Sequence, residues 1–91
     1  MEKLKESFKR KNLRYTLLKR NDHLAVFGVS GTFTDKILHF EVFLIRIRDD
    51  KYGHREALPL DEQFGRSKPD RHFQNMDEAL SYFDEWTVKL M

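Results

Sequence analysis

The sequence predicts an α+β domain in which a three- to four-stranded antiparallel sheet, arranged as a meander, carries a C-terminal helix on one face and has a short N-terminal helix nearby. Two observations lead to this prediction. From Arg14 to Leu60 the chain is rich in β-branched and aromatic residues broken by turn signals, which is typical of antiparallel strands. From Met76 onward, apolar residues recur at helical spacing.

Length and composition restrict the class of protein. A chain of 91 residues favours a single domain over residues 1–91, because smaller cores do not offset the cost of ordering the chain. The hydrophobic content of 40% is too high for a disordered tail. The absence of cysteine excludes a disulfide framework and a zinc-thiolate site. With no membrane-spanning apolar run and no signal peptide, we expect a cytoplasmic protein without membrane contact.

Residues 2–12 are predicted to form the short N-terminal helix. Met1, Leu4 and Phe8 recur at helical spacing and make its only apolar stripe. The helix is therefore expected to be weakly amphipathic and to pack through this stripe.

Turn-forming pairs divide the central region into strands. Asn21-Asp22 tolerates the backbone of a two-residue hairpin loop, so residues 14–20 and 23–33 are predicted to form the first hairpin. Asp35-Lys36 is the predicted second turn and leads into a strand over residues 37–48.

One short strand and one long loop are predicted before the C-terminal helix. The strand covers residues 54–58, follows a loop from Asp49 to Gly53 and ends at a proline, which favours an edge position. Residues 61–75 are polar and lack periodicity, which predicts a surface loop pinned by Phe64 and Phe73.

The C-terminal helix is the most regular element of the sequence. Asn75 is placed to cap it, with Glu78 three residues later. Its apolar stripe consists of Ala79, Leu80, Phe83, Trp86 and Leu90. Because so short a helix is unstable alone in water, the stripe is expected to pack on the sheet.

The predicted turns also predict a register. They place Tyr15 and Phe43 beside Gly28, and aromatic rings that cover strand glycines stabilise sheets. Alternate residues then point to opposite faces. The predicted core face carries Leu18, Phe27, Val29, Phe33, Leu38, Phe40, Val42, Leu44 and Leu58.

The second face of the predicted sheet is the leading candidate for a binding surface. Its apolar end carries Tyr15, Leu17, Val26, Phe43 and Ile45, followed by Ala57. Either the N-terminal helix or the 61–75 loop covers these residues, or a second copy of the chain or another protein does. The first five are the candidate partner-binding residues. The leading hypothesis is a small non-catalytic protein-interaction module, with a homodimer as one form, acting through this face or through the 61–75 loop.

The polar end of the second face contains two titratable side chains. The register sets Ser30 opposite Glu41 and Thr32 opposite His39, a set from which an acid/base pair or a partial metal site can be built. A solvated polar end is the favoured interpretation, because the sequence supplies no evident further ligand, and His72 falls in the long loop. Since phosphate-loop, dinucleotide-binding and hydrolase motifs are also absent, we predict no enzyme, no catalytic or metal-ligating residue and no cofactor.

Nucleic-acid binding is the alternative hypothesis, because residues 1–20 hold eight Lys or Arg against two Glu. The candidate phosphate-binding residues are Lys9, Arg10, Lys11 and Arg14 in the N-terminal segment, and Arg66, Lys68 and Arg71 in the long loop. The predicted order of helix, three strands and helix is similar to that of double-stranded-RNA-binding domains. That family carries a lysine-rich motif at the start of its last helix, where this chain has Met76, Asp77 and Glu78. The acidic side chains of Asp77 and Glu78 would repel phosphate, so the resemblance covers element order and does not imply RNA binding.

Overall fold

Seven strands and one helix form the part of the chain that the computed structural model describes, residues 2–34, 36–51, 53–60 and 62–91. The strands are β1 (Ser7–Arg10), β2 (Leu13–Arg20), β3 (Leu24–Gly31), β4 (Ile37–Leu44), β5 (Arg46–Asp50), β6 (Gly53–Ala57) and β7 (Arg71–Phe73). The helix, α1, spans Met76–Lys89. Five strands form one antiparallel sheet in the order β1-β2-β3-β4-β7, and β5 and β6 form a separate hairpin. The α+β class and the C-terminal helix on an antiparallel sheet are confirmed, whereas the main sheet has five strands and not three or four.

Four predicted features fall partly outside the described residues. These are Met1 of the N-terminal stripe, Asp35 of the second turn and Tyr52 of the third loop. The first position of the predicted 61–75 loop, Asp61, also lies outside them. Within the described residues, no helix is long and apolar enough to cross a membrane.

The prediction of an N-terminal helix is wrong, because residues 7–10 form strand β1. Phe8 pairs with Tyr15 of β2, and Lys11 adopts a positive φ of 57° in the turn between the two strands. Phe8 and Arg10 are also spaced for one face of a strand, and pairing with β2 in a tight hairpin satisfies backbone groups of both strands. A short helix with a single narrow stripe offers no comparable stabilisation. The similarity in element order to double-stranded-RNA-binding domains ends with this strand.

The predicted register is also wrong. Between β2 and β3 the offset is two residues beside the turn and one residue beyond a β-bulge between Leu17 and Lys19. Between β3 and β4 it is three residues over most of the pairing. Gly28 pairs with Thr16 and Phe40, whereas the predicted partners were Tyr15 and Phe43. The first turn is longer than predicted because the Asn21 side chain accepts hydrogen bonds from the backbone N–H groups of residues 23 and 24 over 2.8 Å each. A one-residue shift exchanges the faces of a strand, so β3 is turned over relative to the prediction.

Both faces of the main sheet are covered by the chain itself. On one face, α1 packs against a cluster of Leu24, Val26, Phe40, Val42, Ala79 and Phe83. On the opposite face, the buried cluster consists of Leu4, Tyr15, Ala25, Phe27, Val29, Phe43 and Ile45, with Phe8, Leu13, Leu17, Leu58 and Phe64 packed against it. The N-terminal segment and the long loop therefore cover the second face, which is one of the two alternatives that the sequence left open.

Because both faces are covered, most of the predicted partner-binding residues lie in the interior of the protein. Tyr15, Phe43 and Ile45 are buried on the second face, and Leu17 is half-buried there. Val26 is fully buried under α1, because β3 is turned over. These side chains stabilise the core and present little surface to a partner.

The predicted 61–75 loop contains the edge strand β7. Its residues pair with β4, with Phe73 opposite Phe40 and His72 opposite Glu41. The preceding turn is held by the buried carboxylate of Asp70, which accepts two hydrogen bonds from the Arg46 guanidinium, at 2.5 and 2.8 Å. Asp70 also accepts from the backbone N–H groups of residues 44 and 65, each at 3.0 Å. All four bonds are made by a single side chain that the solvent does not reach.

Helix α1 begins where the sequence predicts. The Asn75 side chain accepts hydrogen bonds from the backbone N–H groups of Asp77 and Glu78, which satisfies two donors that have no partner within the helix. Phe83 is 3% exposed at the centre of the interface with the sheet. Burial of this stripe, rather than helix propensity, is what stabilises the element.

We expect Phe83→Ala to lower the free energy of unfolding by about 3–5 kcal/mol, because it removes a buried ring and leaves a cavity. Chemical denaturation measures the change. Val88 is 70% exposed on the outer side of α1. Val88→Ala is therefore the matched control and should change the free energy of unfolding by no more than about 0.5 kcal/mol. A denaturation midpoint that hardly moves in Phe83→Ala would show that α1 is not docked through this residue.

A second buried carboxylate, Glu56 in β6, ties the N-terminal segment to the body of the protein. It accepts hydrogen bonds from both terminal nitrogens of Arg20, at 2.6 and 2.9 Å, and from the backbone N–H of Leu4 at 3.1 Å. The hydrogen bonds from Arg20 are the main reason that the pKa of Glu56 falls from 4.5 to about 2, against the opposing effect of burial.

This lowered pKa predicts a pH-dependent contribution to stability. The charged form is favoured in the folded state, so the contribution is present above about pH 5 and is lost as the pH falls from 4.5 towards 2. We expect Glu56→Gln to cost on the order of 2–3 kcal/mol at pH 7, with the difference from the wild type narrowing through that window. Urea denaturation between pH 7 and pH 2.5 measures it, with the exposed Glu85→Gln as control. A gap that is the same at every pH would contradict the role of Arg20 and Glu56.

Candidate functional site

A groove of about 360 Å³ lies between β1 and β6. Its position follows from the N-terminal segment, which runs beside β6 and forms a parallel bridge between Glu2 and Arg55. The backbone N–H of Glu56 donates to the carbonyl of Glu2 over 2.8 Å, and this bond holds the two walls together. Leu4 and Phe8 contribute apolar surface to the lining.

A second depression adjoins this groove at the tips of the β1–β2 and β3–β4 turns. Lys9 lines both, so the groove and the depression adjoin at this residue, and we describe them together. Among the described residues, this surface is lined by seven basic side chains and two acidic ones. The basic residues are Lys3, Lys5, Lys9, Arg10, Lys11, Arg48 and Arg55, and the acidic residues are Glu2 and Glu56. Glu56 pairs with Arg20 and lies 3.9 Å from the Nζ atom of Lys3. Because basic side chains outnumber acidic ones in this lining, we term it the cationic surface.

Two cross-strand pairs on the cationic surface set like charge opposite like charge. Lys9 pairs with Arg14 across β1 and β2, and Arg48 pairs with Arg55 across β5 and β6. Like charges directly opposite each other repel, and both Arg14, which lies beside the cationic surface, and Arg55 make further interactions within the chain.

Phe33 stands at the edge of the cationic surface and is 100% exposed. It lies in the β3–β4 turn and lines the same depression as Lys9 and Lys11. A fully exposed ring beside basic residues can stack on a nucleobase or on another planar group.

The structure brings together only part of the predicted nucleic-acid-binding set. Lys9, Arg10, Lys11 and Arg14 all lie in or beside the β1–β2 hairpin. Arg66, Lys68 and Arg71 lie in or before β7, at the other edge of the main sheet. With four strand spacings between the two edges, the separation is about 19 Å. Arg71 instead stacks over the rings of Phe73 and Tyr82.

Several residues of the cationic surface were missed by sequence reasoning. Lys3 and Lys5 were placed on a helix, and Arg48 and Arg55 were too distant in sequence to join the N-terminal cluster. The available signal was the placement of Lys3, Lys5, Lys9 and Lys11 at alternate positions, which favours an extended segment over a helix. It could be interpreted only once β1 and β6 were known to lie side by side.

A second site lies on the face of the main sheet opposite α1, in a pocket of about 470 Å³. Glu41 is at its base, with the His39 Nε2 atom 3.1 Å and the His72 Nε2 atom 3.7 Å from its Oε2 atom. Tyr15 donates its hydroxyl to the same oxygen over 3.3 Å. We term the set of His39, Glu41 and His72 the histidine cluster.

The strand pairing explains how the histidine cluster forms. His39 and Glu41 are two residues apart on β4 and therefore share a face, whereas His72 is brought directly opposite Glu41 by β7. Phe64 stacks on His72, with ring centroids 4.6 Å apart, and fixes the position of the imidazole. The predicted partners of this site, Ser30 and Thr32, are not part of it, because the register differs. The further residue with a metal-ligating side chain is His72, which the sequence placed in the long loop and not beside Glu41.

Comparison with known proteins adds nothing to this geometry, since the chain matches no protein-family model, no curated protein and no solved structure.

Proposed function

We propose that this domain is a non-catalytic binding module for single-stranded nucleic acid, and that the cationic surface is its binding site. The observation that carries the proposal is the excess of seven basic over two acidic side chains around a groove that also has apolar lining. Contacts of Lys and Arg with phosphates release counterions, which supplies affinity without sequence preference. Such a partner is present in the cytoplasm, the compartment that the sequence predicts.

A single strand fits this surface better than a duplex does. Phe33 is fully exposed beside Lys9 and Lys11, and Phe8 contributes to the groove. Exposed aromatic rings contribute by stacking on unpaired bases, at about 1–3 kcal/mol per base, and a duplex offers no unpaired bases. Basic residues that follow the backbone, combined with a ring at one end, are typical of single-strand binding.

Charge reversal at Lys5 and Lys9 tests the electrostatic part of the proposal. Both side chains are exposed, so Lys5→Glu/Lys9→Glu should leave the fold intact and weaken binding of a fluorescent single-stranded oligonucleotide of about 15 nucleotides at least tenfold. Fluorescence anisotropy at 0.15 M salt measures the affinity. Four phosphate contacts would give the wild type a slope of log affinity against log salt of about −3.

The matched control is Arg66→Glu/Lys68→Glu, which changes the charge equally at the opposite edge of the sheet. At 0.15 M salt the screening length is about 8 Å, less than the separation of the two edges, so this control should bind almost as the wild type does. Equal losses in the two double variants would overturn the proposed site. Phe33→Ala should weaken binding by about fivefold or more with unchanged stability, and Phe33→Trp should restore it.

A protein-interaction function is the second candidate, and we propose it for a different surface from the predicted one. Leu18 and Ile37 meet over Gly28 on the α1 face of the sheet, beyond the area that α1 covers, and are 38% and 39% exposed. A second copy of the chain could cover this patch in a two-fold dimer. The proposal predicts a molar mass in light scattering that rises towards that of a dimer with concentration, and a monomer for Ile37→Glu. A wild type that stays monomeric at every concentration would contradict it.

A further inference from the structure

The histidine cluster shares none of its three residues with the cationic surface, although Arg10 lines both sites. It combines two imidazoles and one carboxylate, and their three nearest donor atoms all lie within 4.8 Å of one another. Glu41 is buried, with its side chain 10% exposed, whereas the side chains of His39 and His72 are 24% and 59% exposed. The cluster is therefore anchored at its base and reachable from the pocket.

The spacing of these atoms fits a small transition-metal ion. A zinc ion bound at about 2.0–2.1 Å in tetrahedral geometry holds its ligand atoms about 3.4 Å apart. The distances from Glu41 Oε2 to His39 Nε2 and to His72 Nε2, 3.1 and 3.7 Å, lie on either side of this value. Small side-chain rotations would suffice to bring the two imidazoles onto a shared ion.

We propose that His39, Glu41 and His72 bind one divalent transition-metal ion, with zinc as the preferred class. Two nitrogen donors and one oxygen donor favour zinc over magnesium or calcium, which prefer oxygen ligands. Tyr15 donates a hydrogen bond to the carboxylate and holds it in position, as outer partners of metal ligands do. Phe64 does the same for His72 by stacking.

Three protein donors leave one position of a tetrahedral ion for water or for a small ligand. The 470 Å³ pocket that the three residues line provides the space for it. Arg10 also lines this pocket, so an anionic ligand atom on the ion would lie near a guanidinium. The proposal concerns binding of the metal ion and assigns no chemical step to it.

Titration of the untagged full-length chain with Zn²⁺, by calorimetry and by Co²⁺ absorption, tests the site. We expect one ion per chain, an intense visible Co²⁺ spectrum typical of tetrahedral coordination, and no measurable binding of Mg²⁺. His72→Ala should weaken Zn²⁺ binding at least tenfold without unfolding the protein, because its side chain is 59% exposed. His39→Ala should act in the same way.

His23→Ala is the matched control. It removes an exposed imidazole from the β2–β3 turn, outside the cluster, and should bind Zn²⁺ as the wild type does. Wild-type affinity in His72→Ala and His39→Ala would overturn the proposal, as would equal binding of Mg²⁺ and Zn²⁺. The absence of Zn²⁺ binding in the wild type would also overturn it and would leave a metal-free cluster held by hydrogen bonds to Glu41.

Discussion

The C-terminal half of this fold depends on the hydrogen bonds that the buried carboxylate of Asp70 accepts from Arg46 and from the backbone. This carboxylate binds the guanidinium of Arg46 through two hydrogen bonds and accepts two more from backbone N–H groups at residues 44 and 65. These bonds fasten the long loop to the end of β4, so that β7 is delivered to the edge of the sheet. The position of β7 in turn places His72 beside Glu41 and sets the start of α1 over the main sheet. Removing one partner of such a pair would leave an uncompensated buried charge, which is more costly than losing a surface contact.

Glu56 plays the corresponding part for the N-terminal half. Its buried carboxylate accepts two hydrogen bonds from Arg20 and one from the backbone N–H of Leu4 in the N-terminal segment. The result is that Leu4 is buried and the groove forms between β1 and β6, so that basic residues of the N-terminal segment and of the β5–β6 hairpin lie on one surface. The stability of this half comes from the core around Leu4 and from the buried pair of Arg20 and Glu56, whereas the basic side chains lie at its surface.

The sequence alone predicted the element whose structure is determined by residues close together in the chain, which is helix α1. The cap at Asn75 and the stripe through Phe83 specify α1 within a few turns of chain, and both are as predicted. Register depends on how many residues each turn uses, and the side chain of Asn21 lengthened the first turn beyond the predicted two residues. Strand β7 is a short edge strand fixed by β4, which lies far away in sequence, so periodicity alone could not reveal it. Strand β1 pairs with the adjacent β2 through a two-residue turn, and its single apolar stripe was misinterpreted as that of a helix. Because the metal-ligand geometry at His72 requires β7, the candidate site was hidden for the same reason.

The positions of both pockets follow from the way in which the second face of the sheet is covered. On the α1 face, a single continuous helix packs on the central strands. The opposite face is covered by three separate segments, which are the N-terminal segment around Leu4, the residues after β6 and the loop around Phe64. Short segments meet at seams, and a seam cannot be closed by apolar side chains as completely as the underside of a helix can. The groove beside β1 and the pocket at His72 lie at such seams, and Arg10 lines both. A chain of this length covers an apolar sheet on two sides with few elements, and polar and basic side chains collect where those elements meet.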